Sequence, residues 1–348
     1  MPIMKVIAFE SIDKPLRLAE RPVPAPAADS LTVRVHACGI CGSDLHAAQT
    51  PGMLREGSVL GHEFAGEVVE VGADAGADWR AGDRIVALPL RACGTCAPCR
   101  DGRLASCEAP ATQGFNPALP GAYAEYASCQ AVMAMKIPDT MSYDEAAMIE
   151  PFAVALNAYK MAKVPPGADV LIVGAGVIGL AIATWARFFG AGDIAISDLV
   201  PERLARARDA GAEILIDASN VADPVAELRR ATGRPPMFIF ECVGRPILQK
   251  LINMAPPKAH LVIAGACLDP EKVSVLSATI KRLRVSFAFT YEREDFEFSL
   301  RMLADGRIRA TPFISSVIGL DEVPATFEAL KKPNTHCKVM IRNQASAA

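Results

Sequence analysis

The sequence has almost no charge excess of either sign: 36 Lys and Arg stand against 39 Asp and Glu, a formal net charge of −3, and the densest like-charged pattern is ArgLeuAlaArgAlaArg at 203–208. A protein that grips nucleic acid irrespective of sequence needs a basic footprint, so that class is excluded. A membrane-spanning run is lacking too. The longest uncharged stretch, Val170 to Ala186, is slightly short for a spanning helix and is broken by Gly174, Gly176 and Gly179; it reads as a buried strand turning into a buried helix. No repeat or low-complexity tract recurs, which removes solenoid and fibrous architectures. The opening MPIMKVIAFE lacks the basic region, apolar stretch and small-residue cleavage site of a secretory signal, so a cytoplasmic location is expected.

What is present is apolar. Of 348 residues, 51% are hydrophobic and 22% charged, enough for about two domains with substantial cores at roughly 150 residues each. Residues 1–153 carry short β-rich runs such as LTVRVHAC and EFAGEVVEVG between turns such as RPVPAPAADS and WRAGDR, the pattern of an irregular β-rich domain. Over 154–289, helical and extended segments alternate: VLIVGAG, a helix from 177 to about 189, IAISD, PERLARARDAGA, AEILIDA, VAELRRATG, MFIFECVG, LQKLINMA and HLVIAGA. That rhythm indicates α/β architecture with a doubly wound parallel sheet. In 290–348, EDFEFSLRMLADGRI reads as an amphipathic helix ending at Gly306 and CKVMIR as a strand. A tail of about 55 residues rarely builds a domain of its own, so it is expected to complete the first.

Ten cysteines in a reducing compartment point to metal binding or catalysis before disulfides. Cys93, Cys96, Cys99 and Cys107 follow C-x2-C-x2-C-x7-C in a loop with Gly94, Pro98 and Gly102. Four thiolates at these intervals can enclose one ion tetrahedrally, which zinc favours and which leaves no open position, so the site is structural. An iron–sulfur cluster also takes four thiolates, but the spacing of the fourth and the polar surroundings favour zinc. Cys129, Cys242, Cys267 and Cys337 stand alone in apolar segments and read as small buried hydrophobes.

The segment CGICGSDLH holds Cys41, Ser43, Asp44 and His46, and GHEFAG holds His62 and Glu63. Cys41 and His62 with one carboxylate would give zinc three protein ligands and one exchangeable position, the pattern of a catalytic site. Glu63 or Glu150 could complete it. By local pattern alone, Glu150 is a helix N-terminal charge ahead of Pro151. Gly174-Ala-Gly176-Val-Ile-Gly179 lies between the strand VLIV and a helix, and Asp198 closes the next strand 19 residues after Gly179. This is the layout in which glycines let a pyrophosphate approach a helix N-terminus and a carboxylate meets the adenosine ribose.

With these motifs in this order, the chain resembles the zinc-dependent medium-chain dehydrogenase/reductase superfamily over essentially its whole length. It is similar to the sorbitol, threonine and butanediol dehydrogenase branch in the Glu-Pro of MIEPF, the Glu241-Cys242-Val243-Gly244 stretch and the Asp198-Leu199 followed by Arg203-Leu204. The resemblance implies a GroES-like catalytic domain, a Rossmann coenzyme domain and an active site in the cleft between them. It implies two Zn2+ per chain, the catalytic one on Cys41 and His62 with Glu63 or Glu150, which faces that metal directly or through water. Lys338 matches a basic residue placed near the glutamate after the histidine. Ile178, Asp198, Arg203, Phe289 and the 263–265 and 288–290 segments would line NAD. A departure is Phe289-Thr290-Tyr291, where sorbitol dehydrogenases carry Phe-Arg-Tyr; without that arginine an apolar secondary alcohol or diol gains over a polyol.

The expected activity is reversible, NAD-linked oxidation of an alcohol to its carbonyl compound, with Ser43 taking the hydroxyl proton and His46 delivering it to solvent. NAD is expected over NADP because Leu199, Val200 and Pro201, not a cation, follow Asp198. The protein is expected to work as a homodimer or homotetramer on a small molecule, without membrane or nucleic-acid partners. Rival readings are a polyol or L-threonine dehydrogenase of the same branch, a zinc-free reductase, which would have no use for Cys41 and His62, and a non-enzymatic nucleotide-binding protein.

Overall fold

The computed structural model describes residues 2–343. The chain divides into two compact units, one built from residues up to Glu150 together with those from Glu292 onward, the other from Pro151 to Tyr291. The boundaries expected at 153/154 and 289/290 lie within three residues of these.

In the first unit the alternating apolar run SLTVRVHACG forms the long strand Ser30–Gly39, buried along nearly its whole length. It pairs antiparallel with Glu63–Val71 and Tyr126–Gln130, and the sheet continues through Arg84–Ala87 to Ala134–Lys136. On its other side Lys338–Arg342 pairs antiparallel with Ser30–Gly39, and Ile314–Ile318 lies parallel to Lys338–Arg342. The C-terminal tail therefore returns to this sheet, because the apolar strand KVMIR can bury its side chains only beside the strand whose edge it completes. Val33, Val35, Phe64, Ile85, Phe327 and Ile341 fill the core beneath, each contributing about 1.5–3 kcal/mol on burial.

The second unit is a parallel sheet in the spatial order Ile214–Asp217, Ile194–Asp198, Val170–Val173, Phe238–Glu241, His260–Ile263, Arg284–Phe287. Its central strands read as continuous apolar runs because helices cover both faces. Trp185, fully buried on the helix Val177–Phe188, satisfies its indole N–H on the Phe152 carbonyl at 2.9 Å. The strand order reverses between Val170–Val173 and Phe238–Glu241, so the carboxyl ends of these two strands form the switch point at which open α/β sheets bind ligands.

Several elements differ from the sequence reading. The helix expected over PERLARARDAGA stops at Ala207, because the chain turns at Gly211 with φ +91°. The helix Val275–Lys281, the strand Ile314–Ile318 and the helix Val323–Leu330 have no clear periodic signature and were not anticipated. Cys129 is buried as expected, whereas Cys242, Cys267 and Cys337 are only partly so.

Candidate functional site

The register of three strands assembles the first candidate site. Gly39 pairs with Glu63 on one side and with Met340 on the other, so Cys41, His62 and Lys338 emerge at the same end of the sheet. Cys41 is the N-cap of the short helix Gly42–Ala47, and His62 precedes the strand that begins at Glu63. The ligand atoms of Cys41, His62 and Glu63 all lie within 4.8 Å of one another. Glu150, second residue of the helix Ile149–Ala162 and 7% exposed, is not in this group, although its charge reaches Lys338.

Two buried carboxylates support the cluster. Glu63 and Lys338 are each 1% exposed; Lys338 Nζ donates to Glu63 Oε1 at 2.6 Å and to the Ile40 carbonyl at 3.0 Å. Gly39 makes room for this pair, since a Cβ there would lie 2.0 Å from Glu63 Oε2. Burial disfavours the charge on Lys338, but the Glu63 carboxylate more than offsets this and holds its pKa above the ordinary lysine range. Asp44, fully buried, accepts the Cys41 backbone N–H at 3.1 Å and the Tyr123 hydroxyl at 2.6 Å through Oδ2, while its Oδ1 lies 3.3 Å from His62 Nδ1.

This donor set fits a metal ion. Nδ1 of His62 lies 3.3 Å from the Asp44 carboxylate, which leaves Nε2 for coordination; carboxylates commonly stand at that side of metal-bound histidines. Burial opposes a charged His62 ring, yet Asp44 and Cys41 outweigh it and raise the pKa well above the usual histidine value. One thiolate, one imidazole and one carboxylate leave a position for a further ligand. Ser43 Oγ lies 3.1 Å from Cys41 Sγ, and His46 follows one turn later on the same helix.

Cys93, Cys96, Cys99 and Cys107 form a second group whose sulfurs lie within 4.8 Å of one another. The backbone amides of Thr95 and Cys96 point at Cys93 Sγ from 3.5 and 3.4 Å, and those of Cys93 and Ala109 at Cys107 Sγ from 3.3 and 3.4 Å. The Thr95 hydroxyl and the amides of Thr95 and Cys96 hold the pKa of the Cys93 thiol down to about 5. Amides directed at sulfur stabilise thiolates, the form a metal requires. Gln130, which accepts the Ala92 N–H at 2.9 Å and donates to Asp29 at 2.9 Å, anchors the root of this loop.

In the second unit Gly174 has φ +106°, and a Cβ on Gly179 would stand 1.9 Å from the Gly174 carbonyl, so strand and helix meet at a distance only glycine allows. Gly176 is the N-cap of the helix, and Ile178 lies partly exposed in its first turn. Asp198 accepts the Ala175 N–H at 2.7 Å and the Val200 N–H at 2.9 Å, which fixes a carboxylate beside the glycine turn. Arg203 is on the following helix, Pro201–Ala207. Phe289 is 89% exposed, whereas Tyr291, two residues on, is buried. Glu241, to which the sequence reading gave no role, accepts the amides of Val243 and Gly244 at 2.7 and 2.9 Å and shapes the loop at the switch point. Asp44 and Tyr123 were likewise given no role, since nothing local in CGICGSDLH or GAYAEY shows that the two segments meet.

Two family descriptions match the chain: "Alcohol dehydrogenase GroES-like domain" over residues 27–139 and "Zinc-binding dehydrogenase" over 177–305. Sorbitol dehydrogenase of Bacillus subtilis is 32% identical, with 94% of each chain covered. L-threonine 3-dehydrogenase of Streptomyces avermitilis is 35% identical, over 93% of this chain and 95% of that one. Among solved structures, an alcohol dehydrogenase from Escherichia coli complexed with NADH superposes with a TM-score of 0.87 at 30% identity, covering 98% of this chain and 100% of the other.

Proposed function

Because this chain belongs to the zinc-dependent medium-chain alcohol dehydrogenase superfamily, whose members unite a GroES-like and a Rossmann-type unit and act on CH–OH groups, we propose that it oxidises a secondary alcohol or diol reversibly to the carbonyl compound with NAD. The observation that carries this reading is the convergence of Cys41, His62 and Glu63 on one point. We assign these three as ligands of a catalytic Zn2+, with Glu150 nearby, and the four-cysteine loop as the holder of a second, structural Zn2+. When bound, the catalytic ion supplies a Lewis acid at a position open to substrate, and NAD supplies the hydride acceptor. Ser43 receives the substrate hydroxyl proton, and His46, three residues on along the same helix, passes it to solvent. Lys338 Nζ, bonded to Glu63 and to the Ile40 carbonyl, holds the Glu63 carboxylate in place while this proton moves.

Asp198 supports NAD over NADP, since its anchored carboxylate would meet a 2′-phosphate with no cation in the next three residues. Gly174, Gly176, Gly179, Ile178, Arg203 and Phe289 are assigned to the same cofactor. Two relatives are named as dehydrogenases of sorbitol and L-threonine, compounds that carry hydroxyls on carbon, which supports the substrate class; Thr290 in place of arginine favours a less polar alcohol than a polyol. Thiols left reduced for metal binding suit the cytoplasm.

An isologous homodimer, alone or as half of a homotetramer, is supported by the edge strand Arg284–Phe287 and the neighbouring helix Val275–Lys281. Val275, Leu276, Ile280 and Phe287 are each at least two-thirds exposed there, beside a row of unpaired strand amides. Light scattering tests this: a monomer at micromolar concentration would overturn it. The function is tested by metal analysis and by following NADH absorbance with secondary alcohols, vicinal diols, polyols and threonine. Two zinc ions per chain and turnover of a secondary alcohol or diol are expected; one ion, or no turnover across the panel, would overturn the reading.

A further inference from the structure

The proposed ligands come from two segments that the pairing of Gly39 with Glu63 brings side by side, Cys41 at the start of one helix and His62 ahead of a strand. One buried side chain touches what holds both. Tyr123 and Asp44 are each fully buried, and the Tyr123 hydroxyl donates to Asp44 Oδ2 at 2.6 Å, the short distance of a bond to an ionised acceptor. The same oxygen receives the Cys41 amide at 3.1 Å, and the other faces His62 Nδ1 at 3.3 Å.

Tyr123 is also fastened to the His62 segment by its backbone and its ring. Its N–H donates to the Leu60 carbonyl at 2.9 Å, and the Ala122 N–H donates to the Gly61 carbonyl at 2.8 Å. The ring lies so close to Gly61 that a Cβ there would stand 2.4 Å from Tyr123 Cδ1, with the glycine at φ +99°. The residue before His62 is therefore glycine because the tyrosine ring occupies the space a side chain would need. On its far side the Tyr123 carbonyl accepts the Ile7 N–H at 2.8 Å, which ties this arrangement to the core of the unit.

We propose that Tyr123 is a positioning residue of the catalytic metal site, its hydroxyl holding the Asp44 carboxylate where that carboxylate meets the Cys41 and His62 segments at once. The inference rests on the assignment of Cys41, His62 and Glu63 as metal ligands. A phenylalanine would fill the same volume and pack equally on Gly61, so the packing role and the positioning role separate cleanly at the hydroxyl.

The test is the rate at which the zinc-loaded protein gives up its more labile ion to a colorimetric chelator, in the parent, Tyr123→Phe, Asp44→Asn and the double variant. Supporting partners of metal ligands typically change affinity by roughly 10–100-fold. Asp44→Asn is expected within that range, and Tyr123→Phe, one bond further out, at roughly 3–10-fold faster release, with the four-cysteine ion retained and the melting temperature lowered by no more than about 7 °C, the loss of one buried charge-assisted hydrogen bond. The double variant should release at about the rate of Asp44→Asn alone, since the hydroxyl acts only through that carboxylate. Release from Tyr123→Phe at the parent rate, or additive effects in the double variant, would overturn the proposal while leaving the metal assignment intact. A parent chain holding a single ion would overturn the assignment and the proposal with it. Should Asp44→Asn not fold, the ligand-field absorption of cobalt at the Cys41 site decides: a shifted band in Tyr123→Phe supports the positioning role, and an unchanged one overturns it.

Discussion

Replacing Lys338 with methionine removes the cation from a pair in which both side chains are 1% exposed. The aliphatic stem is roughly conserved, so little packing is lost, while Glu63 is left as a buried carboxylate without its partner. Breaking a buried pair in this way costs about 3–5 kcal/mol, more than the net worth of the intact pair, because the remaining charge is neither solvated nor compensated. With an unfolding entropy of about 2.1 cal/mol/K per residue over the roughly 200 residues of this unit, that converts to a fall in melting temperature of about 7–12 °C. In zinc-saturated buffer an ion held at the proposed site of Cys41, His62 and Glu63 would shield part of the charge, and the lower end is then expected. The pKa of Lys338 is raised in the fold, so the contribution is complete below the ordinary lysine value of about 10.4 and is lost only as pH rises beyond it. Calorimetry at pH 7.5 therefore reads its full size. Lys338→Arg keeps the charge and should retain more than half of the stability. A methionine variant melting within about 2 °C of the parent, or an arginine variant as unstable as the methionine one, would refute the reasoning.

Three further outcomes are expected. Cys41→Ser should lose one zinc and nearly all turnover with the fold retained, whereas Cys99→Ala should lose solubility or assembly first, since structural zinc binding is folding free energy; metal content and melting curves distinguish them. Asp198→Ala should abolish the preference for NAD, moving the ratio of kcat/KM for the two cofactors toward NADP by roughly tenfold or more, because the repulsive carboxylate is gone and Arg203 remains; an unmoved ratio means that Asp198 does not read the ribose. His36, stacked on Tyr143 at 4.2 Å, has its pKa lowered by burial, opposed in part by Glu67 and helped by Arg34 and Arg84. Its neutral form is the one the fold prefers, so stability is lost as pH falls below about 6.5; His36→Phe should lessen the fall in melting temperature between pH 7.5 and 5.5, and an identical fall would count against the assignment.

Chemistry carried by a short stretch of chain was legible in the sequence. Cys93 to Cys107 span one loop, so their spacing alone limits how the sulfurs can converge, and the glycines at 174, 176 and 179 act through local backbone geometry between adjacent strand and helix. The apolar runs of the parallel sheet were legible for a similar reason: a strand covered on both faces has no polar side to show. Burial and partnership across the chain were not. The pairing of Gly39 with Glu63 and Met340 decides that residues near 41, 62 and 338 share one end of a sheet, and it is this register that brings Glu63 together with Cys41 and His62. Likewise Tyr123 stands 79 positions from the Asp44 it holds. A hydrogen bond of that span depends on how whole strands pack, and local pattern carries no trace of it; the sequence by itself determined which ligands were available and where the chain turns, and only the tertiary structure decided which of them face one another and which buried charges hold them there.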